Sequence, residues 1–370
     1  MTVQNVVLEF DPTTATIGKG KALRDGLSVV VQIGKTLWVA NDETLSLERL
    51  TLTIDSETGQ RIQGREHTSF ALADYLVLPV PPSTDPEETV EADLEGLAYE
   101  NGELWLVGSH SLKRKKPKDN TDKAARQLAK ISRDGNRNLL ARIPVVEAEA
   151  SYRLARRDGQ RAAARLAGNG ESNELTDALR NDPHLAPFLA IPGKDNGFDI
   201  EGLAVADGRL FLGLRGPVLR GWAVILELEV ETDADSPERL HLKPIAHDNH
   251  PYLKHFLQLG GVGIRDLCRH GDDLLILAGP TMDLDGPVRV LRWRAGAKRH
   301  TSGELVPDAA LQWVQDIPYG AGVDHAEGMT LFSPDSGKTQ ALLVVYDTAA
   351  EQRKQGDNAV MADIFPLPDR

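Results

Sequence analysis

The chain has 370 residues, with 42 Lys and Arg against 55 Asp and Glu, which gives a formal net charge of −13. A single cysteine excludes a disulfide framework and a cysteine-based zinc site, because both need at least two thiols. The acidic balance argues against nucleic acid or a membrane surface as the main partner, since the overall field repels phosphate groups. The first residues, MTVQNVVLEFDPTT, lack the basic flank and apolar core of a secretory signal, so we expect a cytoplasmic protein.

A short phrase recurs along the chain. It reads RDGLSVVVQIGKTLWVAND from Arg24, DLEGLAYENGELWLVGSH from Asp93 and DIEGLAVADGRLFLGLRG from Asp199, and weaker copies begin at Gly263 and His325. Each copy has an acidic residue followed by Gly or a variant, then an apolar stretch, a turn of Gly, Asp and Asn, and a second apolar stretch. This pattern predicts a strand, a tight turn and a second strand.

The spacing of the copies indicates how they are arranged. Aligned on the repeat glycine, they fall at positions 26, 96, 202, 266 and 328, in steps of 70, 106, 64 and 62 residues. A period above about 40 residues with short strands is typical of a closed radial array. We therefore predict one all-β domain over residues 1–370, a five-bladed β-propeller, with six blades as the alternative. The segment VQNVVLEF near the N-terminus is expected to complete the ring.

Three segments depart from a minimal blade. Residues 109–129 contain a basic loop around Arg114 and a short helix predicted to open at Thr121. Residues 147–194 are rich in Ala, Arg, Leu and Glu, which predicts a helical insertion and accounts for the long step between copies. Residues 247–261 are predicted to form a helix of one or two turns. Such insertions decorate one rim of a propeller, where they act as lids or partner surfaces.

The repeated phrases also carry a resemblance to known proteins. DLEGLAY, DIEGLAV, GIRDL with LLILAGPT, and GLRGPVLRGWA resemble an uncharacterised bacterial family of unknown function, from about Gly26 to Asp347. The D-x-E-G-L phrase is similar to motifs of phytase-like and gluconolactonase-like propellers, and more distantly to five-bladed calcium-activated nucleotidases with a metal in the central channel. The resemblance implies that acidic residues on the innermost strands face the axis. Arg265 departs from this pattern, because it stands where an acid is expected.

In a propeller the first strand of each blade lines the axis, so equivalent residues of the repeats meet as a ring. The ring positions predicted from the alignment are Asp25, Glu95, Glu201, Arg265 and Glu327. Because side chains alternate along a strand, the same face also carries Asp93, Asp199 and His325. The returning strands are expected to bring to this rim Asp42, His110, Arg215, Thr281 and Asp347.

Carboxylates gathered around one axis raise each other's pKa unless a cation neutralises them. We expect a divalent cation, Ca²⁺ or Mg²⁺, since both prefer several oxygen ligands. The predicted metal ligands are Asp25, Glu95, Glu201 and Glu327. His110 and Asp347 are assigned to binding the ligand. The residues assigned to catalysis, as proton acceptors or as cations that steady negative charge, are Asp199, His325, Arg215 and Arg265.

The resulting hypothesis is a propeller that binds a divalent cation and an anionic small molecule, and that hydrolyses a phosphoester. Two alternatives stay open: a non-catalytic scaffold for a protein partner, whose acidic ring only joins blades, and a lactonase-like hydrolase with a similar metal site. An open funnel above the ring favours an enzyme, whereas a plugged one favours a scaffold. Phosphate-binding loops and G-x-S-x-G nucleophile motifs are absent from the sequence, and Cys268 in an apolar stretch is assigned to packing.

Overall fold

The computed structural model describes residues 4–54, 62–83, 91–117, 122–148, 151–247, 249–333 and 340–368. Within these ranges the chain is almost wholly strand and loop, and the α-helices are α1, Asp122–Leu128, and α2, Glu174–Leu179. None of the described helices has the length and apolar character needed to cross a membrane.

The strands follow one another with short connections. In the N-terminal half they are β1 Gln4–Glu9, β2 Thr16–Ile17, β3 Lys21–Ala22, β4 Leu27–Ile33, β5 Thr36–Asn41, β6 Ser46–Ile54, β7 Ile62–Ala71, β8 Leu94–Glu100, β9 Glu103–Gly108, β10 Lys113–Arg114, β11 Ile131–Ser132, β12 Leu140–Ala148, β13 Ser151–Leu154, β14 Arg157–Asp158, β15 Arg161–Ala162 and β16 Ala164–Leu166. In the C-terminal half they are β17 Asp199–Ala206, β18 Arg209–Gly216, β19 Trp222–Thr232, β20 Arg239–Lys243, β21 Tyr252–Gln258, β22 Gly263–His270, β23 Asp273–Gly279, β24 Val288–Trp293, β25 Leu305–Val306, β26 Leu311–Ile317, β27 His325–Phe332, β28 Ala341–Asp347, β29 Lys354–Gln355 and β30 Ala359–Pro366.

The larger sheets are built from antiparallel units that each begin with a repeat hairpin. Their strand orders are β27-β28-β30-β1-β7-β6-β5-β4, β17-β18-β19-β20-β16-β12-β9-β8 and β22-β23-β24-β26. In each of the two longer sheets, two units are joined at their outer edges by a parallel pair, β1 with β7 and β16 with β20. The expected closing strand is confirmed, because β1 pairs antiparallel with β30.

The first strands of the units meet around a common centre. β4 contacts β8, β8 contacts β17, β17 contacts β22, β22 contacts β27, and β27 contacts β4 again. The apolar core lies between successive units: Trp38 of β5 shares one cluster with Leu104 of β9, and Leu277 of β23 shares another with Leu342 of β28. A cyclic set of inner strands with apolar layers between units makes the fold all-β and propeller-like.

Every inner strand contains a β-bulge at the same place. The pairing register breaks around one residue in β4, β8, β17, β22 and β27, and these residues are Ser28, Glu95, Glu201, Arg265 and Glu327. A bulge re-aims a side chain and is common next to functional sites. The position that the sequence alignment gave to Asp25 therefore belongs to Ser28, three residues later.

The residue after the bulge allows neighbouring inner strands to approach closely. A Cβ atom on Gly96 would lie 2.5 Å from Cβ of Leu203, and one on Gly328 would lie 2.8 Å from Cα of Val29. In β22 the equivalent residue is Asp266, whose buried carboxylate accepts the N–H groups of Leu267 at 2.7 Å and of Met329 at 2.6 Å. Burial raises the pKa of Asp266 well above its usual value, although these N–H donors lower it. Glycine and Asp266 thus serve the same junction by different means.

The predicted helical insertions are only partly present. Helix α1 is confirmed, while Thr121 lies outside the described residues. Residues 147–194 are wrong as a helical insertion, because they contain β13 to β16, and the α-helix there is confined to α2. The helix expected at 247–261 is also wrong: this segment holds β21, which pairs with β19 from Trp222 to Leu228. In both places pairing with a neighbouring strand outweighs the weak helix preference of the sequence.

We expect the substitution Gly96→Ala to lower the free energy of unfolding by about 2 kcal/mol, because the added methyl group would overlap Leu203 of the adjacent inner strand. Gly286→Ala is the matched control, since its Cβ would meet only the Pro280 ring, at 3.1 Å. Urea unfolding followed by circular dichroism measures both variants. Equal stability of the two would show that the close approach of the inner strands does not constrain the fold.

Candidate functional site

Two adjoining cavities open at the end of the ring where the inner strands begin and their hairpin partners end. Their volumes are about 400 Å³ and 420 Å³. We call the pair the central funnel. The residues that line both cavities are Lys116, Lys194, Arg215, Asp283, Glu327 and Asp347. The shared residues make the two cavities one chamber with two lobes.

The floor of the funnel carries arginines that are each paired with two carboxylates. Arg215 pairs with Asp199 and, through Nη1, with Oε1 of Glu201 at 2.6 Å. Arg265 pairs with Glu327, and its Nε lies 3.0 Å from Oε2 of Glu201. Burial raises the pKa of Glu201 to about 6, against the opposing effect of the two guanidinium groups. Both arginines are therefore neutralised by the protein itself.

A third arginine at the floor was missed by the sequence analysis. Arg137 lies on the 3-10 turn Gly135–Asn138, where its guanidinium contacts Glu91 at 2.6 Å and Asp93 at 2.8 Å. Burial lowers the pKa of Arg137, but Asp93 and Glu91 raise it by more, so it stays charged. Arg137 belongs to no repeat, and no signal in the sequence separates it from a surface arginine.

Other carboxylates of the funnel have no cationic partner among the residues that the structure describes. Asp42 and Glu95 accept no side-chain or backbone hydrogen bond there, and Asp347 accepts only the N–H of Thr348, at 2.7 Å. Burial and then Asp347 raise the pKa of Asp42 well above its ordinary value, and burial and then Glu201 do the same for Glu95. The floor thus holds more carboxylate than its guanidinium groups neutralise.

His325 lies in the second cavity and is held by an acid. Its Nε2 is 3.1 Å from Oδ1 of Asp285, whose Oδ2 accepts the N–H of Gly322 at 3.0 Å. The sequence analysis named His325 but not Asp285, because Asp285 lies in a loop that the repeats do not share. Both side chains keep about a third or more of their surface exposed, at 34% and 42%.

Two predicted site residues lie away from the funnel. Asp25 is on the 3-10 turn before β4, where it pairs with Lys354 at 3.3 Å and keeps 41% of its side chain exposed. His110 is buried, with Nδ1 2.8 Å from the carbonyl oxygen of Gly108 and Nε2 2.7 Å from Nδ2 of Asn173. Burial lowers the pKa of His110 to about 4, so the imidazole is neutral at pH 7. The roles of Asp25 in metal binding and of His110 in ligand binding are therefore corrected.

The remaining predicted metal ligands do not converge on one point. Among the described residues, the one group of three ligating side chains with mutually close atoms is Glu227, His255 and His300, at the outer side of the ring. In this group Nδ1 of His255 accepts the N–H of Glu304 at 3.2 Å, so Nε2 carries the proton and donates to Glu227. A metal would need that nitrogen deprotonated. The group is a hydrogen-bonded network that Arg209 completes.

Comparison with protein families gives one match over most of the chain. The model described as "Protein of unknown function (DUF3616)" matches residues 26–363. A search of curated proteins finds no match.

Comparison with solved structures gives distant likenesses. An exo-β-1,3-galactanase from Phanerochaete chrysosporium, solved with galactose, is 9% identical at a TM-score of 0.38, with 96% of this chain and 63% of the galactanase covered. The chain thus spans less than two thirds of the galactanase. The major allergen Mala s 1 of Malassezia sympodialis is 10% identical at a TM-score of 0.33, with 97% of this chain and 85% of the allergen covered. YCF48 bound to D1 peptide is 9% identical at 0.29, with 95% and 98% covered. All three are too distant to transfer an activity.

We expect His110→Ala to weaken the fold rather than ligand binding. The buried imidazole is neutral in the folded protein, so in the wild type the free energy of unfolding falls as the pH drops from 6.5 toward 4. The variant lacks this titration and should lose roughly 2 kcal/mol less than the wild type between pH 6.5 and 5. Urea titrations at both pH values measure this difference. A parallel loss in the two proteins would contradict the assignment.

Proposed function

Because the chain belongs to the DUF3616 family, whose description names no activity, we propose its function from the geometry of the funnel. The protein is a five-bladed β-propeller that binds a divalent cation, Ca²⁺ or Mg²⁺, together with an anionic small molecule. The cyclic contacts of β4, β8, β17, β22 and β27 support the count of five blades, with one blade for each inner strand.

The observation that carries this proposal is the set of carboxylates that face the funnel without a cationic partner. Asp42 and Glu95 have none among the described residues, and Asp347 has only a backbone donor. Carboxylates left together in a buried site repel one another, and a hard divalent cation relieves that repulsion while finding the oxygen ligands it prefers. The proposed cation ligands are therefore Asp42, Glu95 and Asp347, with Glu327 beside them.

The spacing of these groups favours a cation that keeps part of its water shell. Their oxygen atoms are not among the mutually close ligand groups of the described residues. Mg²⁺ sheds its water reluctantly and is often held by one or two carboxylates plus substrate phosphate, so water-mediated contacts suit it. Glu201 is less suited as a ligand, because Arg215 and Arg265 already pair with its two oxygens.

The anion is placed at the mouth of the funnel, where the charge is reversed. Arg114, Lys115, Lys116 and Lys194 line this part, above the carboxylates of the floor. An anionic group between a bound cation and these side chains would contact positive charge on both sides. Open lobes at the axis favour such a small-molecule site over the scaffold alternative, which expects a plugged funnel.

We expect Ca²⁺ or Mg²⁺ to raise the melting temperature of the EDTA-treated protein by at least about 3 °C at large excess, since the cation binds only the folded state. The double substitution Asp42→Asn and Glu95→Gln should abolish this shift and leave the protein folded, because neither carboxylate has a partner to lose. Differential scanning calorimetry with and without cation measures both effects.

Glu238→Gln is the matched control, because it removes one exposed carboxylate from an outer loop. The control should respond to the cation like the wild type. A wild type without any shift, or a double variant with the full shift, would remove the basis of the cation site.

A second candidate function, phosphoester hydrolysis, is favoured by the pairing of His325 with Asp285. When Nε2–H donates to Asp285, Nδ1 of His325 is the nitrogen that accepts a proton. A water molecule attacks phosphorus, its proton passes to Nδ1, and the ester oxygen leaves and takes up a proton to become the alcohol. Asp199 is not suited to the proton transfer, because it is buried and paired with Arg215.

If this step occurs, 4-nitrophenyl phosphate should be hydrolysed in the presence of Mg²⁺, and His325→Asn should lower kcat about 100-fold. Asp285→Asn should lower kcat less and shift the basic limb of the pH–rate profile to lower pH, since the carboxylate stabilises the protonated imidazole. Release of nitrophenol against pH is the measurement. Unchanged kcat in His325→Asn would exclude His325 as the base.

A further inference from the structure

The second lobe of the funnel has an apolar wall. Met282 and Leu284 on the β23–β24 loop and Tyr319 on the β26–β27 loop line this lobe. Their exposed fractions are 38%, 59% and 49%. Large apolar side chains exposed together at a cavity are typical of a surface that another molecule covers.

The two loops that form this wall are fixed to each other. Asp285 of the first loop accepts the N–H of Gly322 in the second and also pairs with His325. Within the second loop the N–H of Gly320 donates to the carbonyl oxygen of Val323 at 3.1 Å. The wall is therefore pre-organised, which lowers the entropy cost of binding.

The apolar wall and the basic mouth face the same chamber. Lys116, Lys194 and Arg215 line both lobes, so an anionic group bound near these residues lies next to the apolar wall. Lys116 also pairs with Asp283 at 3.2 Å, at a position beside Leu284. This pair is largely exposed, with 86% and 57% of the side chains accessible, so a ligand displaces it at little cost.

We propose that the ligand of the central funnel is an anion that carries an apolar or aromatic group, and that Met282, Leu284 and Tyr319 bind this group. The inference rests on the proposed function, because the cation and the basic mouth hold the anionic end. It adds the class of ligand: a phosphate, phosphonate or carboxylate joined to a ring or alkyl body, rather than a free inorganic anion.

The experiment compares two non-hydrolysable probes by isothermal titration calorimetry in the presence of Mg²⁺. Phenylphosphonate should bind at least about tenfold more tightly than methylphosphonate, because its ring covers the apolar wall. The double substitution Leu284→Ala and Tyr319→Ala should bring the ratio of the two affinities close to one. Trp313→Ala, which removes an exposed aromatic side chain from the outer strand β26, is the matched control and should keep the ratio of the wild type.

The outcomes separate this inference from the proposed function. If both phosphonates bind with equal affinity, or if the preference for the phenyl group survives the loss of Leu284 and Tyr319, the apolar subsite is wrong while the anion site stands. If neither phosphonate binds, both the subsite and the proposed function are overturned.

Discussion

The close approach of the inner strands is the constraint on which the structure depends. At each junction the residue after the bulge lies against the backbone or Cβ of the neighbouring strand, as Gly96 does at Leu203. This contact brings residues that are far apart in sequence to one rim. It also fixes the bulge, and the bulge directs one side chain of each inner strand, such as Glu95 or Glu201, out of the regular alternation. The chemistry of the funnel follows from a packing requirement of the fold.

The charges of the funnel are divided between structure and ligand binding. Arg137, Arg215 and Arg265 neutralise the carboxylates beside them, which makes burial of those groups tolerable. Asp42 and Glu95 lie outside these pairs. An acid without a partner destabilises the folded protein at neutral pH, and a protein that retains such acids in a cavity gives up stability at that place. This imbalance distinguishes the unpaired carboxylates from the rest of an acidic surface.

The repeated hairpin was sufficient to predict the strands, their return to a common centre and the closing role of β1, because strand alternation and turn residues are local signals. Ring positions were found where the phrase keeps its acid, at Glu95, Glu201 and Glu327. The first copy misled, because Asp25 precedes a 3-10 turn and the bulge falls on Ser28, whose side chain gives no acidic signal. Arg137 and Asp285 come from loops, and only the folded chain places them beside the axis. The strands of residues 151–166 and 252–258 were missed because their pairing partners are distant in sequence.

The pairing of β1 with β30 joins the two ends of the described chain within one sheet. Contacts of such long sequence separation form late in folding, since loop closure must precede them. During synthesis the last unit therefore lacks its outermost strand contact until Ala359–Pro366 has left the ribosome, and its edge stays unprotected until then. In the finished molecule the same clasp makes opening of the circle a cooperative event rather than the fraying of one end.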